Sequence, residues 1–377
     1  MIRALLVVLA LVFVPVGVLA QEPEEPVPVS AAGDGPYLLP GPARSWRASR
    51  VSNDLTSIEH LVRRNGRISI HGVGDVPAFE VPLRQLLVTP APDTLPLNPA
   101  TRLMVLADTH GEYEIVVEFL RRQGVIDQDL AWTFGDGQLV VTGDIFDRGA
   151  YQLEILWLLY KLEGEAHAAG GAVHVLIGNH ENIVLRNDLR YLHPRYHEVA
   201  RILEVTTYPD LFAPDSLLGN WLRARPAVLR LGDLLFAHGG ISPQVVDRGL
   251  SISDLNAGVL RSLDTPVARR NDLDEDAALI AGRFGPLWFR GYFPEEAEPD
   301  RPYMPRAEVE RSLAFYGVNR ILVGHTAMPQ VTPLYGGRVI AVQVYPHQDE
   351  ATGRPVLEGA LRDQGRWFRV NAQGERF

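Results

Sequence analysis

The chain has 377 residues, 46% of them hydrophobic, enough for one large domain or two ordinary ones around a sizeable core. Its formal net charge of −10 makes it a poor general partner for nucleic acid or an anionic membrane, so a site for an anionic substrate needs metal ions or selected arginines to be locally positive. It contains no cysteine, which excludes a disulfide framework, a lipid-modified N-terminal cysteine and any thiolate metal site.

Residues 1–20 start with the short positive stretch Met1-Ile2-Arg3 and continue through the apolar "ALLVVLALVFVPVGVLA" (4–20). Pro15 and Gly17 interrupt the run near its end, and Val18-Leu19-Ala20 follows the pattern a signal peptidase reads. A membrane span needs about 20 apolar residues, and this run is slightly short for one. The reading is a cleaved secretory signal peptide on a secreted or periplasmic protein, with no stable membrane insertion after cleavage. Residues 21–50, rich in Pro, Glu, Gly and Ala, read as a disordered linker. Residues 51–100 read as a small β-rich extension. Within it "ISIHGVGDVPAFEVPL" (68–83) suggests short strands about a Gly-containing turn, and "TPAPDTLPLNPA" (89–100) is a Pro-rich connection.

From residue 101 to 377 the pattern is that of a catalytic domain: strand, loop, helix, repeated. "RLMVLA" (102–107) is a buried strand followed by "DTHG". "EYEIVVEFLRRQG" (112–124) has helical spacing, with Ile115, Val116, Phe119 and Leu120 on one face. "QLVVTG" (138–143) is the next strand and runs into "DIFDRG". The helix "YQLEILWLLYKLEGEAHAAGG" (151–171) stops at a Gly pair; its face Leu153, Leu156, Trp157 and Tyr160 reads as core. "AVHVLIG" (172–178) precedes "NHE". "AVLRLGDLLFAHGG" (227–240) reads as a hairpin turning at Gly232-Asp233, and "NRILVG" (319–324) precedes "HT". Segments 185–225 and 245–315 lack this rhythm and read as helical insertions that could wall a cleft.

Five strands thus end in loops bearing His or Asp, and in open α/β sheets ligands bind beyond the carboxyl ends of strands. Asp108, His110, Asp144, Asn179, His238 and His325 are the candidate metal ligands. Their mixture of carboxylate, amide and imidazole donors suits Mn, Fe or Zn better than Ca or Mg. Six donors are too many for one open tetrahedral site; they fit two divalent ions sharing one carboxylate, an arrangement that clamps both oxygens of an in-line displacement at phosphorus.

Together the loops "DTHG", "GDIFDRG", "GNHE", "HGG" and "GHT" resemble the motif set of the calcineurin-like metallophosphoesterases. "DRG" and "GNHE" resemble its phosphoprotein-phosphatase branch. "LRYLHPRY" (189–196), "GPLWFRGY" (285–292) and "LVGHT" (322–326) are similar to the bacterial Shewanella-like protein phosphatases. The resemblance covers residues 101–344. It implies an α/β metallophosphoesterase fold, an αββα sandwich of two packed mixed β-sheets flanked by helices. It further implies that Asp108, His110 and Asp144 hold one metal, and that Asp144 bridges to a second held by Asn179, His238 and His325. His180 would be the general acid, oriented by Asp147, with Arg148 and Arg290 as phosphate clamps. The implied activity is dinuclear-metal-dependent hydrolysis of a phosphomonoester, on a phosphorylated protein (Ser/Thr or Tyr) or a small phosphate ester, by a metal-bridging hydroxide. The residues agree: paired cations acidify water, arginine binds phosphoryl oxygens, and a histidine can protonate the leaving oxygen near pH 7.

Two departures stand out. Ala107 occupies a position that is usually Gly in that branch, and "YPHQDE" after the strand "RVIAVQV" (338–344) lacks the expected "DTG"-like ending. Any one of these residues alone has an ordinary explanation, such as an Asp helix cap or a weak Asp147–Arg148 surface pair. His193 and His197 are spaced i, i+4, but Pro194 lies between them and favours a structural or substrate-contact role over a metal pair. His60, His71, His167, His174 and His347 read as surface or core residues. The competing functions are hydrolysis of a dinucleoside polyphosphate by the same chemistry, and a non-catalytic binding protein on the same fold.

Overall fold

A computed structural model describes residues 33–84 and 91–377. The apolar stretch read as a signal peptide lies outside the described residues. Among those described, no helix is long and apolar enough to cross a membrane.

The stretch read as linker over 21–50 is structured from Gly33 onward, which corrects that boundary. Strands β1 (Asp34–Pro40) and β2 (Ser45–Val51) pair antiparallel, and β2 pairs with β3 (Ser57–Arg63). A second hairpin joins β4 (Arg67–Ile70) to β5 (Phe79–Pro82). Pro and Gly hid β1 because they count as breakers. Yet Pro40 closes its end, and Tyr37, Trp46, Ala48 and Val51 are buried beneath it. The tiny β6 (Thr94–Leu95) lies in the Pro-rich connection and belongs to the main sheet, parallel to a strand more than a hundred residues later in the chain.

The remainder is a two-sheet sandwich. One sheet has β7 (Leu103–Leu106), β8 (Gln138–Val141) and β9 (Ala172–Val175) in parallel. In the other, β10 (Val228–Leu231) and β11 (Leu234–Ala237) form the predicted hairpin. That second sheet has six strands. β11 runs parallel to β12 (Arg320–Val323) and β12 to β14 (Val339–Ala341), with β13 (Thr332–Leu334) antiparallel at the edge. The small hairpin β15 (His347–Gln348) with β16 (Pro355–Val356) leads to β17 (Glu358–Asp363) and β18 (Arg366–Asn371), which complete the first sheet.

Strand periodicity sorts the side chains. Leu103, Val105 and Ala107 point into the layer between the sheets, with Phe236, Leu322 and Ile340 opposite them. Met104 and Leu106 point the other way, toward helices α1 (Tyr113–Arg122) and α2 (Gln152–Ala168). Each fully buried aliphatic of this kind contributes roughly 1.5–3 kcal/mol. The α2 helix is buried almost all round its first three turns because the β1–β5 unit covers its far side, with Trp157 Nε1 donating to Pro36 O at 3.1 Å. The two insertions are helical. After α3 (Asn179–Leu185), which follows β9, the first carries α4 (Pro194–Ile202) and α5 (Leu217–Arg223), and the second spans the end of α6 (Pro243–Asp247), α7 (Ile252–Leu263), α8 (Glu275–Ala281) and α9 (Arg306–Tyr316).

Candidate metal centre and its acid–base pair

The loops after β7, β8, β9, β11 and β12 meet on one rim of the sandwich and carry nine of the ten predicted site residues; Arg290 reaches the rim from the second insertion, against Thr326. Strain marks the same loops. Asp108 (φ 40°), His110 (42°), Asp144 (56°), Asp147 (69°), Arg148 (69°) and His325 (65°) all adopt the left-handed region that non-glycine residues avoid. Such strain costs of order 1–3 kcal/mol per residue and persists only where the surroundings impose it.

Two histidines of the cluster are oriented by carbonyls. His110 Nδ1 lies 3.0 Å from Phe146 O and His238 Nδ1 2.9 Å from Thr142 O. A carbonyl only accepts, so both Nδ1 atoms carry hydrogen, and both Nε2 atoms face inward. There His238 Nε2 meets Asn179 Oδ1 at 2.8 Å and Asp144 Oδ2 at 3.1 Å. His110 Nε2 lies 3.8 Å from Asp144 Oδ2 and 4.0 Å from Asp108 Oδ2. Asp108 Oδ1 accepts from His325 N at 3.1 Å. Asp144 is central: it offers atoms within 4.8 Å of ligand atoms of His110 and His180 on one side, and of His238 and His325 on the other.

The donor set fits divalent cations. His110 Nε2 and His325 Nε2 are buried with no hydrogen-bond partner, an expensive state for an aromatic nitrogen unless a cation receives the lone pair. The electrostatics point the same way. Burial, helped by Asp144, lifts the Asp108 carboxyl to about 7. Burial works against charging His238, yet Asp144 and Asp108 outweigh it and lift the imidazole to about 9. Burial holds His110 and His325 well below the usual histidine range, hence neutral and able to ligate. The cluster thus draws positive charge to its centre.

Beside it stands the candidate acid–base pair. His180 Nδ1 and Asp147 Oδ2 are 2.7 Å apart, with both residues buried. Burial alone would lower the His180 pKa, but Asp144 and Asp147 raise it above its ordinary value. Its Nε2 faces the cluster, 3.8 Å from Asp144 Oδ2. Arg148 is exposed at the rim, its guanidinium 5.6 Å from the Tyr345 ring centre, and that ring lies 5.8 Å from His110. Arg290 donates to Thr326 Oγ1 at 3.2 Å, next to His325, and lies 3.7 Å from Glu296.

Two glycines let the backbone approach. A Cβ on Gly178 would collide with Asp144 Oδ1, and one on Gly324 with Asp108 Oδ1. His193 accepts from Arg195 N and caps α4, while His197 is exposed, so these two form no metal pair. Sequence reasoning assigned no role to Glu181, Tyr191 or Gln152. Glu181 is fully buried and accepts four backbone N–H groups, those of Asp144 (2.8 Å), Ile145 (2.6 Å), Phe146 (3.1 Å) and Gly178 (2.7 Å). Its place in "NHE" was visible; its partners depend on a loop shape that no spacing encodes. The exposed Tyr191 ring lies 5.4 Å from that of His180.

Residues 101–329 match the calcineurin-like phosphoesterase family. The chain is similar to Shewanella-like protein phosphatase 2 of Arabidopsis thaliana, 26% identical over 313 residues that span 70% of this chain and 76% of that protein. It is also similar to Shewanella-like protein phosphatase 1 of Plasmodium berghei, 26% identical over 60% of this chain and 62% of the relative. The crystal structure of the cold-active protein-tyrosine phosphatase of a psychrophilic Shewanella species superposes with a TM-score of 0.79. It is 32% identical over 92% of this chain and 98% of that one.

Proposed function

The chain belongs to the calcineurin-like phosphoesterases, and from that premise we propose that it is a metal-dependent phosphoprotein phosphatase acting on phosphotyrosine. The observation that carries this reading is the meeting of His110 on one side, and of His238 and His325 on the other, at the shared carboxylate of Asp144, with His180, paired to Asp147, also beside that carboxylate. Asp108, His110 and Asp144 would hold one divalent ion, and Asp144, Asn179, His238 and His325 the other. The mixed oxygen and nitrogen donors favour Mn, Fe or Zn. When bound, such ions supply Lewis acidity and lower the pKa of water, which provides the nucleophile at neutral pH.

The chain's own residues do the rest. Arg148 and Arg290 bind the phosphoryl oxygens and set the phosphorus for in-line attack by water. As the bond from phosphorus to the leaving oxygen breaks, that oxygen takes the Nε2 proton of protonated His180, and Asp147 holds the imidazolium through Nδ1. Tyr191 supports an aryl leaving group: an exposed ring beside the acid offers a face for the departing phenol. The relative named as a protein-tyrosine phosphatase points in the same direction. The apolar run at 4–20 supports export to the periplasm or beyond; N-terminal sequencing of the exported protein checks the cleavage.

The substrate test compares phosphotyrosine and phosphoserine peptides with diadenosine tetraphosphate on the metal-loaded protein. The highest kcat/KM is expected for phosphotyrosine. A far higher value for the nucleotide would replace the protein-phosphatase reading.

A further inference from the structure

The family match begins at residue 101, yet a buried line of hydrogen bonds runs into the acid–base pair from β1, outside it. Asp147 N donates to Gln152 Oε1 at 2.8 Å. Gln152 Nε2 donates to Tyr208 Oη at 2.8 Å, and Tyr208 Oη lies 3.4 Å from Tyr37 Oη. Tyr37 Oη donates to Asp34 Oδ1 at 2.6 Å, and Arg195 Nε holds Asp34 Oδ2 at 3.1 Å. Asp34, Tyr37, Asp147, Gln152, Arg195 and Tyr208 are all at most 2% exposed.

The chemistry leaves this chain one direction. The carboxylate of Asp34 accepts, so the Tyr37 hydroxyl is spent on it. Tyr208 must then donate to Tyr37 and receive from Gln152. The Gln152 amide is thereby fixed with nitrogen toward Tyr208 and oxygen toward Asp147 N–H. That contact matters because Asp147 and Arg148 are consecutive residues at φ 69°, a conformation that needs external anchors. Gln152 anchors the first, and the carbonyl of Tyr191 anchors the second by accepting from Arg148 N at 3.0 Å.

We infer that Gln152, oriented by Tyr208, Tyr37 and Asp34, is a positioning residue that sets Asp147 against His180. The N-terminal β unit thus takes part in aligning the acid. This inference rests on the general-acid reading of His180. Its test uses the full chain and compares p-nitrophenyl phosphate, which has a good leaving group, with phenyl phosphate, which has a poorer one. Gln152→Met, Tyr208→Phe and His180→Gln are assayed with bound metal measured in each. Gln152→Met and Tyr208→Phe are expected to keep their metal and to slow phenyl phosphate at least about ten-fold more than p-nitrophenyl phosphate. Tyr208→Phe removes one oxygen only and decides the matter if Gln152→Met does not fold. Equal slowing of both esters, or none, while His180→Gln remains selective would overturn the positioning role alone. Equal slowing by His180→Gln would remove the general-acid reading, and this inference with it.

Discussion

Exchanging Glu181 for glutamine changes one atom and tests what holds the "GDIFDRG" loop in shape. The carboxylate receives two backbone N–H groups on each oxygen, from Ile145 and Phe146 on Oε1 and from Asp144 and Gly178 on Oε2. Burial and the neighbouring Asp144 push its pKa up, and the N–H groups pull it back. In Glu181→Gln one oxygen becomes an NH2 group that faces two donors. Two buried N–H groups then lose their acceptor, at about 1–3 kcal/mol each, so the variant should lose roughly 2–6 kcal/mol. Because Asp144 N is among those donors, the Asp144 carboxylate, the proposed bridging ligand, should shift as well. The assay is denaturant unfolding of the metal-free proteins, followed by bound metal and p-nitrophenyl phosphate turnover. A stability loss under about 1 kcal/mol with metal content and turnover unchanged would refute the reasoning.

Gly178→Ala places a methyl group on Asp144 Oδ1 although the Gly178 backbone is ordinary at φ −95°; it should lose bound metal and about 100-fold in turnover, and full metal content would show that the close approach is not required. His174 is held down to about 4 from the ordinary 6.5, chiefly by burial. The stability it lends is complete above about pH 6.5 and lost as pH falls through 4, about 2.5 kcal/mol by pH 4.5. His174→Gln should remove that acid sensitivity, and unfolding curves at pH 7 and 4.5 that change in parallel for both proteins would deny it. Arg290→Lys keeps the charge but loses the planar fork; kcat/KM should fall about ten-fold or more with metal retained, whereas an unchanged kcat/KM would remove Arg290 from the phosphate site.

The candidate ligands were legible because each sits within four residues past the end of an apolar strand, and parallel strands bring such ends to one rim. Arg290 lies in an insertion without strand rhythm, and only its motif pointed to it. Glu181 and Gln152 act through backbone N–H groups of a folded loop, and neither composition nor period reports where those groups point. Strand β1 escaped notice because Gly33, Gly35, Pro36 and Pro40 crowd it, although Tyr37 and Trp46 are what a buried β pair requires. The last hairpin, β17–β18, was not read from the sequence: its turn residues Gln364 and Gly365 take φ 49° and 75°, the left-handed pair a tight hairpin needs, but only Gly365 signals this by type.

The most direct measurement is anomalous diffraction from metal-loaded crystals, collected at the Mn, Fe and Zn edges. Two peaks are predicted, both within about 2.0–2.3 Å of Asp144, one also against His110 and Asp108, the other against Asn179, His238 and His325. An empty map at full metal supply, or a single peak that Asp144 does not touch, would contradict the account.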